Sequence, residues 1–294
     1  MCTNSPRKAF TLIELLVVIA IVALLLGILI PSMRAIKEWA SVANCLTNQR
    51  GLGNGFLLYA EENDDNFCSG YVFQDATRRS PPSWVMAPLI YETNGALTYV
   101  GTDVNRLNLQ ARQNGLREGA IFPYTGAMDL YHCPGDKRIV KGTSRKDGSV
   151  PLRMYQEFRS YGMPDYYMAH TDPAGGMEVE TKMSKIATPG QRLLFVEDQY
   201  DLYWNIDAWS YVPRGQWLWD PLGNYHNKSC TFGFADGHGE LFKWRDERTM
   251  VFMSDRALAE SMGFGKGTVF NPHNPDLDWL DAHYPGKFRV KGGN

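Results

Sequence analysis

From Leu12 to Ile30 the chain carries no ionisable side chain except Glu14. At about 1.5 Å of rise per residue this run makes a helix of about 28 Å, enough to cross the hydrocarbon core of a bilayer. One apolar span at the start of a 294-residue chain leaves the remainder to fold in water. Arg7 and Lys8 precede the span and Arg34 and Lys37 follow only later. The early pair is expected to hold the N-terminus in the cytoplasm and place the rest of the chain outside, as a single-pass protein.

An ordinary secretory signal has an apolar core of about 7 to 15 residues followed by a small-x-small cleavage site. This core is longer, and Glu14 stands at its start. A plain anchor gives no purpose to a carboxylate that costs about 2 to 3 kcal/mol or more at mid-membrane.

Lys8-Ala9-Phe10-Thr11-Leu12-Ile13-Glu14-Leu15 resembles the class III signal of type IV pilins and type II secretion pseudopilins. The resemblance implies that a prepilin peptidase cuts between Ala9 and Phe10 and that Phe10 is then N-methylated. Ala9 stands where the family usually has Gly, and is small enough to fit. A new amine on Phe10 would lie one helical turn before Glu14, whose carboxylate also complements the helix N-terminus. In a filament Glu14 pairs with the Phe10 amine of a neighbouring subunit, which makes the costly residue an alignment device. Pro31, with no N–H, is expected to kink or locally melt the helix. The domain reading is a leader over 1–9, a transmembrane helix over 10–31, a soluble continuation over 32–62, and an exported globular α+β head over 63–294. The bacterial inner membrane, its lipid and other pilin-like subunits are the implied surroundings.

Of 30 basic side chains, Arg7 and Lys8 leave with the leader, so 28 face 32 acidic ones, a net charge of −4. A basic nucleic-acid surface is not expected. Cys2 also leaves, and Cys45, Cys68, Cys133 and Cys230 face an oxidising compartment. Four cysteines allow three pairings, and sequence selects none; a disulfide between Cys45 on the helix and Cys133 in the head is the favoured guess. No Cys-x-x-Cys occurs, which argues against a zinc ribbon or redox motif.

Met33, Ile36, Ala40, Ala43 and Leu46 recur at spacings of three and four, predicting a helical apolar face beyond Pro31. Gly51, Gly53 and Gly55 weaken the following turns, yet Leu52, Phe56, Leu57 and Tyr59 resume an apolar face there. The expectation is one long broken helix over about 10–62, stopped by the polar run Glu61 to Asn66. Ser160 to Ala169 and Gln191 to Gln199 read as strands. Ser229 to Ala235 and Glu240 to Trp244 read as a hairpin around Asp236-Gly237-His238-Gly239. Residues 81–150 read as irregular with short helices, and Asn274-Pro275 as the cap and first residue of a helix to about His283. The predicted fold class is α+β, a long N-terminal helix packed on an antiparallel sheet, pilin-like.

His226, nine residues, then Asp236-Gly237 resembles the His-x9-Asp-Gly processing-associated region of a large bacterial family of prepilin-like proteins. Asn44 to Gln49, Tyr131 to Asp136 and Ser160 to Met163 resemble recurrent blocks of that family. His226, Asp236 and His238 are weak candidate metal ligands; the preferred reading is a tight Asp-Gly turn capped by a histidine. No cofactor is expected, although the acidic run Glu61 to Asp65 is a candidate for calcium without the spaced loop of a dedicated site.

No nucleophile elbow, phosphate loop or His-Glu-x-x-His is present, and the adjacent carboxylates Glu197 and Asp198 point to opposite faces of a strand. An enzyme is not expected. Trp204, Trp209, Tyr211, Trp217 and Trp219 form either part of the core or a stacking surface for sugars. The function expected is a structural subunit of a type II secretion or type IV pilus-like filament; the alternative is a membrane-tethered surface- or carbohydrate-binding protein that uses the signal only for delivery.

Overall fold

The computed structural model describes residues 11–72, 82–100, 109–137, 158–167, 180–198, 208–212, 217–218, 220–254, 258, 261 and 273–286. The chain divides into two compact units, residues 1–40 and 41–294. Helix α1 (Leu12–Glu62) starts in the first and ends in the second. Every described residue from 11 to 33 is exposed, including the whole apolar run. An uncovered apolar helix that satisfies its own backbone fits lipid, and the segment is long and apolar enough to span a membrane. The leader and Phe10 lie outside the described residues.

The helix is not broken. It continues through Pro31, where the expected melting does not occur, and through Gly51, Gly53 and Gly55. Proline removes one donor from the ladder, and the Ser32 hydroxyl donates to the nearby Leu29 carbonyl at 2.8 Å. The glycines admit neighbours instead: a Cβ on Gly51 would lie 3.1 Å from Leu130, and one on Gly55 2.6 Å from Thr125.

In the second unit α1 buries Val42, Cys45, Gln49, Leu52, Phe56 and Tyr59, again at spacings of three and four. Leu52, Phe56 and Tyr59 belong to the apolar face that the sequence resumes after Gly51, whereas the earlier part is not the stripe read from the sequence. Met33, Ile36, Ala40 and Ala43 are exposed and Leu46 is half-buried. The buried face contains a glutamine and lies beside glycines, so hydropathy alone sets the phase wrongly. Gln49 docks on the sheet, its amide donating to the Thr231 carbonyl at 2.8 Å and the Thr231 hydroxyl at 2.9 Å.

The central antiparallel sheet has the order β3 (Tyr161–Gly162), β4 (Leu193–Glu197), β7 (Ser229–Phe234), β8 (Gly239–Lys243). Two small hairpins accompany it, β1 (Leu89–Tyr91) with β2 (Leu97–Tyr99), and β5 (Tyr211–Val212) with β6 (Trp217–Leu218). The first lies in the stretch read as irregular, which also contains the helices α2 (Leu109–Arg117) and α3 (Phe122–Thr125). The strand expected over Ser160 to Ala169 is only two residues long. Pro164 has no N–H for a ladder, and a 3-10 turn follows over Asp165–Tyr167.

Both faces of β7 are buried. Phe232 and Phe234 pack with Phe242, Trp244, Leu277 and Leu280. On the other side the α1 residues Leu52 and Phe56 share a core with Trp84, Tyr131 and Phe195. The result is α+β with the pilin-like order of a long N-terminal helix followed by antiparallel sheet. Helix α4 (Glu247–Ser254) and the closing helix α5 (Pro275–His283) complete the second core. As the sequence indicates, Asn274 caps α5, accepting from the backbone N–H of Asp276 at 2.9 Å and Leu277 at 3.4 Å. Asn274→Ala is expected to lower stability by about 1 to 2 kcal/mol, read as a reduced chemical-denaturation midpoint of the detergent-solubilised chain.

Candidate functional site

Two places in the chain concentrate chemistry. The first is the start of α1. The Glu14 carboxylate accepts from the Thr11 backbone N–H and hydroxyl, both at 2.8 Å, and the Glu14 N–H donates to the Thr11 hydroxyl at 3.3 Å. This reciprocal arrangement is a capping box, with Thr11 at the N-cap and Glu14 three residues on. The Thr-x-x-Glu spacing of this box is present in the sequence at Thr11 and Glu14. Ala9 and Phe10, the expected cleavage and methylation positions, lie outside the described residues.

The second place is buried in the second unit, where Cys45, Cys133, Glu197 and His226 present ligand atoms all within 4.8 Å of one another. Each comes from a different element: Cys45 from α1, Cys133 from a turn, Glu197 from the end of β4, His226 from the loop before β7. The sulfurs of Cys45 and Cys133 are 2.7 Å apart, longer than the about 2.05 Å of a disulfide bond. His226 Nε2 lies 3.3 Å from Cys133 Sγ and 2.9 Å from Glu197 Oε1. Both the His226 and Glu197 side chains are fully buried.

Local structure fixes each group. Cys133 begins the turn Cys133-Pro134-Gly135-Asp136, closed by the Asp136 N–H on the Cys133 carbonyl at 2.9 Å. The Gly135 N–H donates to Cys133 Sγ at 3.3 Å. A Cβ on Gly135 would meet the His226 ring at 3.1 Å, so this glycine lets the ring approach. The other carboxylate oxygen of Glu197 accepts the Thr231 N–H at 3.0 Å, which orients the carboxylate toward His226. Among the described residues His226 Nδ1 has no hydrogen-bond partner.

The hydrogen bond with Cys133 holds the Cys45 thiol down to about 7, while burial and the Cys45 neighbour push Cys133 up. Burial alone would lower His226, but the Cys45 contact and the Glu197 carboxylate outweigh it and raise the imidazole to about 10. Of the two sulfurs, that of Cys45 is the one held nearer to thiolate.

The structure brings Cys45 and Cys133 together, but as free thiols in contact and not as the disulfide favoured from the sequence. Cys68 and Cys230 are separate buried thiols. His226 does not join Asp236 and His238 as a ligand set. Asp236 Oδ1 instead accepts from the His238 N–H at 3.1 Å and its Nδ1 at 2.6 Å, and the His238 ring stacks on Phe234 at 4.3 Å. Asp236 therefore organises the hairpin turn. Gly237 follows at φ +88°, with Gly53 of α1 so close that a Cβ there would sit 3.2 Å from its Cα. The sequence placed neither Glu197, considered only as half of an adjacent carboxylate pair, nor His226, grouped with Asp236 and His238, beside the two cysteines; the donors come from four distant segments, so no local spacing announces them.

In the acidic run, Asp65 accepts from the Ser184 N–H at 3.1 Å and Glu62 from the Tyr124 hydroxyl at 2.7 Å. These contacts tie the helix end to the rest of the unit. Trp209 and Tyr211 are core residues, stacked on each other at 5.6 Å. Trp204, Trp219 and the Trp217 side chain lie outside the described residues.

Residues 4–30 match the prokaryotic N-terminal methylation motif. The chain thus carries a type IV pilin-like prepilin signal, and with its one long apolar N-terminal helix it fits a single-pass membrane protein. The match does not reach the His226 to Gly237 block. No curated protein and no solved structure matches the chain.

The turn geometry predicts that Gly237→Ala destabilises the second unit by about 1 to 2 kcal/mol, because a Cβ at that left-handed position meets its own backbone. An unchanged urea midpoint would refute this account of the Asp-Gly pair.

Proposed function

We propose that the chain is a precursor cut before Phe10 by a prepilin peptidase, N-methylated there, and assembled as a pseudopilin- or minor-pilin-like subunit of a type II secretion or type IV pilus-like filament. The observation that carries this reading is the methylation motif over residues 4–30, which includes Glu14 within an otherwise uncharged span. In the precursor the Glu14 carboxylate is already held by Thr11. After cleavage the Phe10 amine lies one residue before that cap. The same carboxylate then takes a neighbouring subunit's amine, and low dielectric favours the registered pair over a lone charge. With the N-terminus on the cytoplasmic side, the second unit stands outside the membrane.

Two experiments test the reading. Mass spectrometry of the mature N-terminus is expected to find N-methyl-Phe10; an intact leader or a cut after Ile30 refutes processing. Glu14→Leu is expected to insert in the membrane yet lose pelletable assemblies. Glu14→Gln separates the two roles of the carboxylate, because an amide still closes a capping box but carries no charge. Loss of assembly in both variants supports charge pairing. Normal co-assembly of Glu14→Gln reduces the residue to a helix cap.

A further inference from the structure

We propose that Cys45, Cys133, His226 and Glu197 form a closed four-donor site for a thiophilic divalent cation, zinc by chemical class, which ties α1 to the sheet. The donor set is two sulfurs, one imidazole nitrogen and one carboxylate oxygen, the combination that suits zinc rather than calcium or magnesium. All four ligand atoms lie within 4.8 Å of one another and all four residues are buried. That compass suits a shell with Zn–S of about 2.3 Å and Zn–N of about 2.0 Å, the sulfurs separating from their present contact by roughly 1 Å to take tetrahedral corners.

Groups behind the donors are already placed. The Gly135 N–H on Cys133 Sγ stabilises sulfur as thiolate, and the Thr231 N–H on the second oxygen of Glu197 leaves the first free for the cation. His226 presents Nε2 to Cys133 Sγ and Glu197 Oε1 together. A disulfide between Cys45 and Cys133 would require neither a buried imidazole nor a buried carboxylate beside it, whereas a cation uses both. Two thiolates and a carboxylate around a doubly charged ion leave one negative charge, which those two backbone donors offset in part. With no open coordination position, the role is structural. The site joins segments separated by as many as 181 residues (Cys45 to His226), so cation binding adds directly to the free energy of folding.

The test uses the full chain, purified in detergent without added metal. Elemental analysis is expected to find about one zinc per chain. Replacing zinc by cobalt is expected to give a thiolate-to-cobalt charge-transfer absorption that disappears in Cys133→Ser. Glu197→Gln, which preserves shape, is expected to weaken zinc binding by at least 10-fold in chelator competition, while Asp236→Asn retains wild-type stoichiometry. Should the cysteine variants not fold, alkylation of the wild-type chain in denaturant decides. Cys45 and Cys133 are expected to react fully without reductant. A Cys45–Cys133 cross-linked peptide in metal-free protein, failure of the folded chain to take up zinc or cobalt, or equal binding in Glu197→Gln overturns the proposal.

Discussion

The second unit depends on one contact, the laying of α1 from Val42 to Tyr59 across the β4–β7 face of the sheet. Leu52 and Phe56 supply apolar area, and each buried large side chain contributes about 1.5 to 3 kcal/mol. Area alone does not fix where along the sheet a helix sits. Gln49 does that, because its amide reaches both the carbonyl and the hydroxyl of Thr231, and a shift along the helix would leave these groups buried and unpaired. Gly53 permits the hairpin turn at Gly237 to approach the helix. The position of Cys45 beside Cys133 follows from this docking.

Much of this order was legible in the residues. The apolar run, the hairpin around Asp236-Gly237 and the Asn274-Pro275 helix start are local signals, and each became the element that its pattern describes. The face of α1 from Leu52 to Tyr59 follows the sequence pattern, but between Pro31 and Gly51 two stripes with the same spacing overlap, and the one that is buried carries a glutamine. Such a residue counts against burial in a hydropathy pattern until its partner is known, and Thr231 lies 182 residues away. The β1–β2 hairpin was missed although Asn94-Gly95 marks its turn, with Gly95 at φ +80°. Its three-residue strands are too short for alternation to register.

The buried cluster shows a different limit. The two cysteines, the histidine and the glutamate appear in segments that read as a helix, turns and a strand, and nothing within any one segment calls for the others. Only the topology, with β4 and β7 paired and α1 laid over them, brings the four together. The hairpin motif illustrates the same point from the other side. His226 and Asp236 look like one signature in the sequence, yet the first faces a dry cluster and the second holds a surface turn with His238.

The capping box at Thr11 bears on how such a precursor is cut. A peptidase needs its target in extended form, and a bond inside a helix must first be unwound. Among the described residues the first helical hydrogen bond runs from the Leu15 N–H to the Thr11 carbonyl, so the cap at Thr11 and Glu14 closes with groups from residue 11 onward. The proposed cut before Phe10 would leave each of these contacts in place. The cap that opens α1 would then be the same before and after processing, and the apolar segment behind it would keep its length.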